Sequence, residues 1–525
     1  MLLSIGRGTE CQERGRFLGR RQLCCAVAVA LVGMLVVAGQ ASALIISEFR
    51  LRGPSGASDE FVELYNERAR PVTISTTDGS AGWALATSNG VARFVVPNGT
   101  VIPAGGHYLG VNSVAYSLGS YPAGSGSTAT GDVTYTTDIP DNAGLALFKT
   151  SNPANFTLPN RLDAVGSTSE INATYKEGTG YPPITPFNID HSFYRDLRGL
   201  TPKDTGNNAA DFTFVDTNGT SAGAGQRLGA PGPENLSSPR LGREADIGIA
   251  LLDPRVGAGA APNRVRDSTS NPAQNSTFGT LSLRRVLTNN TGAPVRRLRF
   301  RIADQTTFPA PAGTADLRDR TSPAVVVGTL AVQGTTLEQP PPQPFGSGFN
   351  STLGVGAVNL GDPLRPGESL PVQLLFGIQQ TGSFRVCAYI EALPGGGGLI
   401  ADGGNTQNQS VIAPTCTPPA PALLLAGKRK QAVEKLSVRA LCSHACELVA
   451  RAKGKVGKGK SREGFKSRKR SKELGAGKAR KLKLSFGKKV LRRIDDRKGK
   501  AKVTAVATTA AGRTAREKLK IKLKP

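Results

Sequence analysis

Histidine is almost missing from this chain: three occur in 525 residues, His107, His191 and His444. No candidate nucleophile stands beside them and no H-E-x-x-H spacing occurs, so histidine-based proton transfer and zinc-protease chemistry have no foothold. His107 falls in a predicted strand and His191 at a loop–strand junction, and both read as structural or surface residues. Methionine (2) and tryptophan (1) are scarce too. Helical periodicity is nearly absent, which argues against an α-helical fold.

Long apolar runs are also lacking. The one strong run covers 23–38, about 16 residues where a membrane span needs about 20, and Gly33 and Gly39 interrupt it. A basic stretch precedes it (Arg14, Arg16, Arg20, Arg21) and Ala41-Ser42-Ala43 follows. That order describes an export signal over 1–43, cut after Ala43. The mature chain is expected to be secreted, without a transmembrane anchor, and held at the cell surface by charge.

Of seven cysteines, three precede that cut, which leaves Cys387, Cys416, Cys442 and Cys446. An oxidising compartment permits disulfides. Cys442–Cys446 would close a tight loop, and Cys387–Cys416 would tie a strand to the end of its domain. A metal site from Cys442, His444 and Cys446 has only three ligands and no second cluster. No metal or other cofactor is expected.

Acidic residues are rare in the last hundred positions. From Pro421 to Pro525 there are 34 Lys+Arg against 7 Asp+Glu, which equals the whole net charge of +27 and leaves a neutral body. A neutral body with a segregated basic end suggests a part that meets a polyanion. One dense group is Lys453, Lys455, Lys458, Lys460, Arg462, Lys466, Arg468, Lys469, Arg470 and Lys472. A second is Arg492, Arg493, Arg497 and Lys498, with Lys500 after it. Cations this dense bind polyanions by counterion release. Only Phe465 and Phe486 interleave, so base stacking is not expected.

What the sequence does contain is short alternating segments bounded by Gly, Pro, Asn and Asp, the pattern of β-sandwiches. About 480 mature residues exceed one core. The expected fold is all-β: tandem immunoglobulin-like β-sandwich domains joined by Pro/Gly-rich linkers. The boundaries are 44–235, 245–416 and a basic sandwich-like module at 427–525. The linkers are 229–240, rich in Gly, Pro and Ser, and 417–426. In 59–66, Val62 and Leu64 share one face and Phe61, Glu63 and Tyr65 the other. In 297–302, Leu298, Phe300 and Ile302 point inward and the arginines outward. The stretch 453–472 reads as a flexible basic loop, and 517–524 as a strand with lysines on one face.

Paired carboxylates are the remaining route to catalysis. Asp59, Glu60 and Glu63 cluster, as do Asp204, Asp211 and Asp216, but Glu60 and Glu63 point to opposite faces of one strand. No EF-hand spacing supports calcium at the second group. Both sets read as solvated strand and turn residues, and no catalytic residue is assigned.

The first segment resembles the lamin-tail domain. The resemblance rests on Ile46-Ser47-Glu48, Glu60-Phe61-Val62-Glu63-Leu64-Tyr65-Asn66, Gly82-Trp83, Pro103-Ala104-Gly105-Gly106, Ser192-Phe193-Tyr194-Arg195 and the stretch 204–212. It implies an immunoglobulin-like sandwich that binds or displays rather than catalyses. The turn at 364–370 leading into Val372-Gln373-Leu374-Leu375-Phe376 is similar to immunoglobulin-like modules of bacterial surface proteins. The expected partner is an anionic polymer, such as a cell-wall polymer, an acidic polysaccharide or DNA, with no small-molecule substrate. The alternatives are extracellular DNA binding, an auxiliary role beside a secreted hydrolase, and an unrecognised, metal-assisted hydrolase.

Overall fold

The computed structural model describes residues 44–119, 129–184, 187–198, 201–219, 227–241, 247–338, 347–411, 423–442, 446–457, 462–474, 479–494, 498–509 and 514–524. The signal segment, most of the linker 417–426 and Cys416 lie outside them. Strands dominate. Among the described residues, α-helix is confined to Asn208–Asp211 and Lys488–Ile494. The chain is all-β.

A seven-stranded sheet runs in the order Arg227–Leu228, Phe212–Asp216, His191–Arg195, Ile45–Arg50, Phe61–Tyr65, His107–Asn112, Val133–Tyr135. A four-stranded sheet, Arg161–Val165, Leu145–Phe148, Gly82–Thr87, Ala92–Pro97, shares its core. Val62 and Leu64 enter that core, as their alternation predicts. The opposite face is buried as well. Phe61 packs there with Leu109, Val111 and Leu118, and Glu63 and Tyr65 are covered.

The second core lies between two five-stranded sheets. One is built on Thr280–Asn289 and Ser369–Gln380, the other on Arg297–Gln305 and Ser383–Leu393. Leu298, Phe300 and Ile302 are fully buried in it. The intervening arginines do not face solvent, contrary to the alternation reading. Arg299 is 4% exposed and Arg301 2%. Their strand presents its outer face to the first sandwich, so that face is an internal boundary.

The segment read as a linker fills this boundary. Residues 229–235 are all buried, Gly229 bridges Phe349 and Arg240 bridges Ala392. Its glycines mark close approach rather than flexibility. A Cβ on Gly229 would lie 2.1 Å from the Phe349 carbonyl oxygen, and one on Gly232 2.5 Å from the Arg301 guanidinium.

The third core, residues 423–523, lies between a three-stranded sheet (Leu423–Ala426, Ser437–Cys442, Arg480–Lys483) and a six-stranded sheet. The larger one runs Lys430–Ala432, Thr514–Lys524, Gly499–Thr509, Cys446–Val456, Glu463–Lys466, with Arg470–Leu474 also paired to Cys446–Val456. The expected loop at 453–472 is thus largely strand among the described residues. Alternation explains it: Ala450, Ala452 and Val456 point inward, while Lys453 and Lys455 point outward. Glu473 ties this module to the first sandwich through Arg68 (3.3 Å) and Arg70 (2.8 Å).

The expected Cys442–Cys446 bridge is not formed. Cys442 ends a strand of the smaller sheet and Cys446 begins one of the larger, and each packs inward as an apolar core residue. Cys387 is buried on Ser383–Leu393. No helix among the described residues is long and apolar enough to cross a membrane.

Candidate functional site

The six-stranded sheet sorts its side chains by sign and polarity. In Gly499–Thr509, Ala501, Val503, Ala505 and Ala507 are at most 2% exposed, while Lys500 and Lys502 face out. Thr514–Lys524 does the same, with Ile521 and Leu523 in the core and Lys518, Lys520, Lys522 and Lys524 out. The strand register, antiparallel except for the parallel pairing of Lys430–Ala432 with Thr514–Lys524, then aligns the outward lysines. Lys453 lies opposite Lys466 on one side and Lys502 on the other, and Lys502 opposite Lys520. In the next row Lys455 lies opposite Lys500, Lys500 opposite Lys522, and Lys522 opposite Lys430. Two rows of four lysines cross five strands.

This face lines a groove of about 1360 Å³. Ten of its lining residues are basic: Arg429, Lys430, Lys453, Lys455, Arg462, Lys498, Lys500, Lys502, Lys520 and Lys522. None is acidic or aromatic. All ten side chains are exposed. Like charges directly opposite on neighbouring strands repel, so the array carries a standing electrostatic cost. An arriving polyanion would relieve that repulsion and release its own counterions.

The structure gathers Lys453, Lys455, Arg462 and Lys498 here, with Lys466 at the edge of the same lattice. Arg470 and Lys472 are exposed on Arg470–Leu474, which pairs with the other half of Cys446–Val456. Arg468 and Lys469 are exposed in the connection before it. Arg492 is exposed on the helix Lys488–Ile494, which also carries Arg493. Lys458, Lys460 and Arg497 lie outside the described residues. Density along the sequence missed Arg429, Lys430, Lys502, Lys520 and Lys522. Lys502, Lys520 and Lys522 belong to Lys-x-Lys alternations, which a count by window dilutes although the lysine-faced strand at 517–524 shows the last two, while Arg429 and Lys430 stand in a short run outside both dense groups.

Two short spacings also fall in this chain. The run 454–461, Gly-Lys-Val-Gly-Lys-Gly-Lys-Ser, has the spacing of a phosphate-binding loop. That loop needs a following helix whose N-terminal N–H groups face the phosphates. Among the described residues the next element is the strand Glu463–Lys466, and 458–461 lie outside them. The run 219–223 has the spacing G-x-S-x-G, and 220–226 lie outside the described residues.

The carboxylates expected to be solvated are buried. Arg50 holds Asp59 and, at 2.8 Å, Asp190. Arg195 holds Asp163 at 2.8 Å, Asp211 at 3.4 Å and Asp204 at 3.5 Å. Asp216 accepts the Asn218 and Gly219 N–H groups. Burial pushes Glu60 up to about 8, against hydrogen bonds from Asn112 and Ile139. Burial lowers His191 to about 3, so its ring stays neutral.

Between the first two sandwiches, His107 stands 2.9 Å from Glu63 and 3.1 Å from Glu234. Glu234 also meets Arg301 at 2.9 Å and Arg299, and Glu391 meets both arginines, at 2.6 and 2.7 Å. Glu63, His107 and Glu234 bring ligand atoms within 4.8 Å of one another, as do Asp163, Glu177 and Asp204. Guanidinium groups already occupy carboxylates of both trios, so these donor sets suit ion-pair networks better than a divalent ion.

No protein-family model matches the chain, and no curated protein does. Solved structures with partial likeness include a DUF4785 family protein of Legionella pneumophila, at 10% identity and TM-score 0.16 over 47% of this chain and 52% of that one. Another is trypsin-activated α2-macroglobulin of Escherichia coli, at 8% identity and TM-score 0.17 over 92% and 22%. A third is red sea bream transglutaminase, at 10% identity and TM-score 0.13 over 54% and 31%. The chain thus spans about half the length of the Legionella protein and less of the other two.

Proposed function

We propose that this is an exported binding protein whose basic C-terminal module attaches to an anionic polymer, acting by binding rather than catalysis. The observation that carries the reading is the groove lined by ten exposed cations and no acid. The two sandwiches before it form the body. In this reading the first is a lamin-tail-like domain for binding or display, supported by the motifs around Glu48, Glu63 and Trp83, and the second is immunoglobulin-like. The 1–43 signal pattern supports secretion to a cell-surface or extracellular setting, where a Cys387–Cys416 disulfide would form. The buried carboxylates support a structural role, because each cluster has guanidinium or hydrogen-bond partners inside the protein.

The test is a salt series on the full chain with polyanions of several classes. Affinity should fall steeply with salt, with a log–log slope of about −4 if six phosphates of a single chain are neutralised. Charge reversal by Lys502→Glu with Lys520→Glu should remove most of the binding. Binding that ignores both salt and charge reversal overturns the reading.

A further inference from the structure

The geometry of the lysine face narrows the class of polymer, an inference that rests on the polyanion reading above. Neighbouring strands lie about 4.8 Å apart, and same-face residues of one strand about 6.8 Å apart. The two rows, Lys466-Lys453-Lys502-Lys520 and Lys455-Lys500-Lys522-Lys430, therefore occupy a patch of roughly 19 by 7 Å. Arg429 adjoins one lateral edge strand of this sheet and Arg462 the other. The long axis of the patch runs across the strands, from one arginine to the other.

A rod-like duplex fits this patch poorly. Its phosphates lie on two strands separated by grooves about 6 and 12 Å wide, so only those facing the sheet reach the lysines. A thin flexible chain can lower each of its charges onto the array. The lining has no aromatic residue, so unpaired bases would find no stacking platform and only a charged backbone would be gripped. The cations are eight lysines and two arginines. Guanidinium forks match carboxylate and phosphate alike, whereas a lysine ammonium meets an anion as a point charge and is a common phosphate ligand.

We propose that the groove binds a flexible single-chain polymer bearing phosphate in its backbone. The chain lies across the strands between Arg429 and Arg462, and about eight consecutive charges fill the site. The patch is compact, so affinity stops rising once the chain spans it.

The experiment measures binding of the full chain at fixed salt to linear polyphosphates of 4, 8, 16 and 60 phosphates. Duplex DNA and an oligouronate of eight charges serve as competing classes. Affinity should rise at least tenfold from 4 to 8 phosphates and then level off after correction for the number of registers. The duplex, compared at equal charge, and the uronate should each bind at least tenfold more weakly than the octaphosphate. The exposed double substitution Lys453→Gln, Lys502→Gln should cost the octaphosphate at least tenfold, with Lys466→Gln as a milder variant and thermal melting as the check on folding. Equal or tighter binding of duplex or uronate overturns the polymer class and leaves the polyanion reading standing. A continued rise beyond 16 phosphates overturns the compact site. If no polymer binds, or the folded variants bind unchanged, both readings fall.

Discussion

Glu234, from a segment whose composition reads as linker, lies 3.1 Å from His107 Nε2 in the first sandwich. The same carboxylate meets Arg299 and Arg301 of the second. Three parts of the chain thus converge on one buried charge. Glu48 belongs to the same seam, taking hydrogen bonds from Ser192, Gly232 and Asn350. A buried pair contributes modestly when intact, but removing one partner strands the other charge. His107→Ala leaves Glu63 and Glu234 without the ring between them. The expected loss of stability is about 2–4 kcal/mol, read from denaturant unfolding, and a change below about 0.5 kcal/mol would contradict it.

The seam also sets a pH dependence. Burial alone would lower His107, but Glu234 and Glu63 outweigh it and hold the imidazole above its ordinary value. Its stabilising contribution is complete below about pH 6.5 and is lost as pH rises through the folded-state value. Burial, then Glu63, pushes Glu48 up to about 7. The folded state resists ionising Glu48, so a penalty grows as pH rises from about 4.5 to 7. Both effects have the same sign. The thermal midpoint should fall between pH 5 and 8, and Glu48→Gln should flatten the part below pH 7. A midpoint that rises over this range would contradict the assignment.

Gly229→Ala tests whether the apparent linker is a packed seam. The added Cβ would meet the Phe349 carbonyl oxygen at 2.1 Å, and a backbone atom cannot swing aside as a side-chain tip can. Gly257 is the control, since a Cβ there meets nothing within 4 Å. Gly229→Ala should cost about 1–3 kcal/mol and Gly257→Ala less than about 0.5. Equal effects would mean that the segment tolerates displacement.

These contrasts mark where the sequence could and could not be read. Alternation placed Leu298, Phe300 and Ile302 in a core, because period-two burial is a local property of a strand. It could not say what covers the other face. Arg299 and Arg301 look solvent-bound until the segment that reads as linker supplies Glu234. Gly229 and Gly232 look like linker residues because glycine serves both flexibility and close approach. Asp59, Asp204 and Asp211 look solvated because nothing in the sequence couples them to their arginine partners: Arg50 for the first, Arg195 for the other two. The basic face was half legible. Charge density located the module, but the lattice depends on strand register, which brings Lys453, Lys502 and Lys520 into one row from three separate strands.

That register makes stability and binding respond in opposite directions. Lys502 lies between Lys453 and Lys520, so Lys502→Glu turns two repulsive cross-strand pairs into attractive ones. Without a ligand the variant should be more stable by about 0.5–1 kcal/mol at low salt, and the gain should shrink as salt screens the array. The wild type, by the same reasoning, should gain stability as salt rises or as polyphosphate is added, because either one quiets the repulsion among its lysines. Thermal melts of both proteins at low and high ionic strength, with and without octaphosphate, separate the terms. The expected pattern is a variant that melts higher alone and gains less from octaphosphate than the wild type. A variant that melts lower alone would show that these lysines do not repel across the strands, and the argument that the face is held ready for an anion would lose its energetic basis.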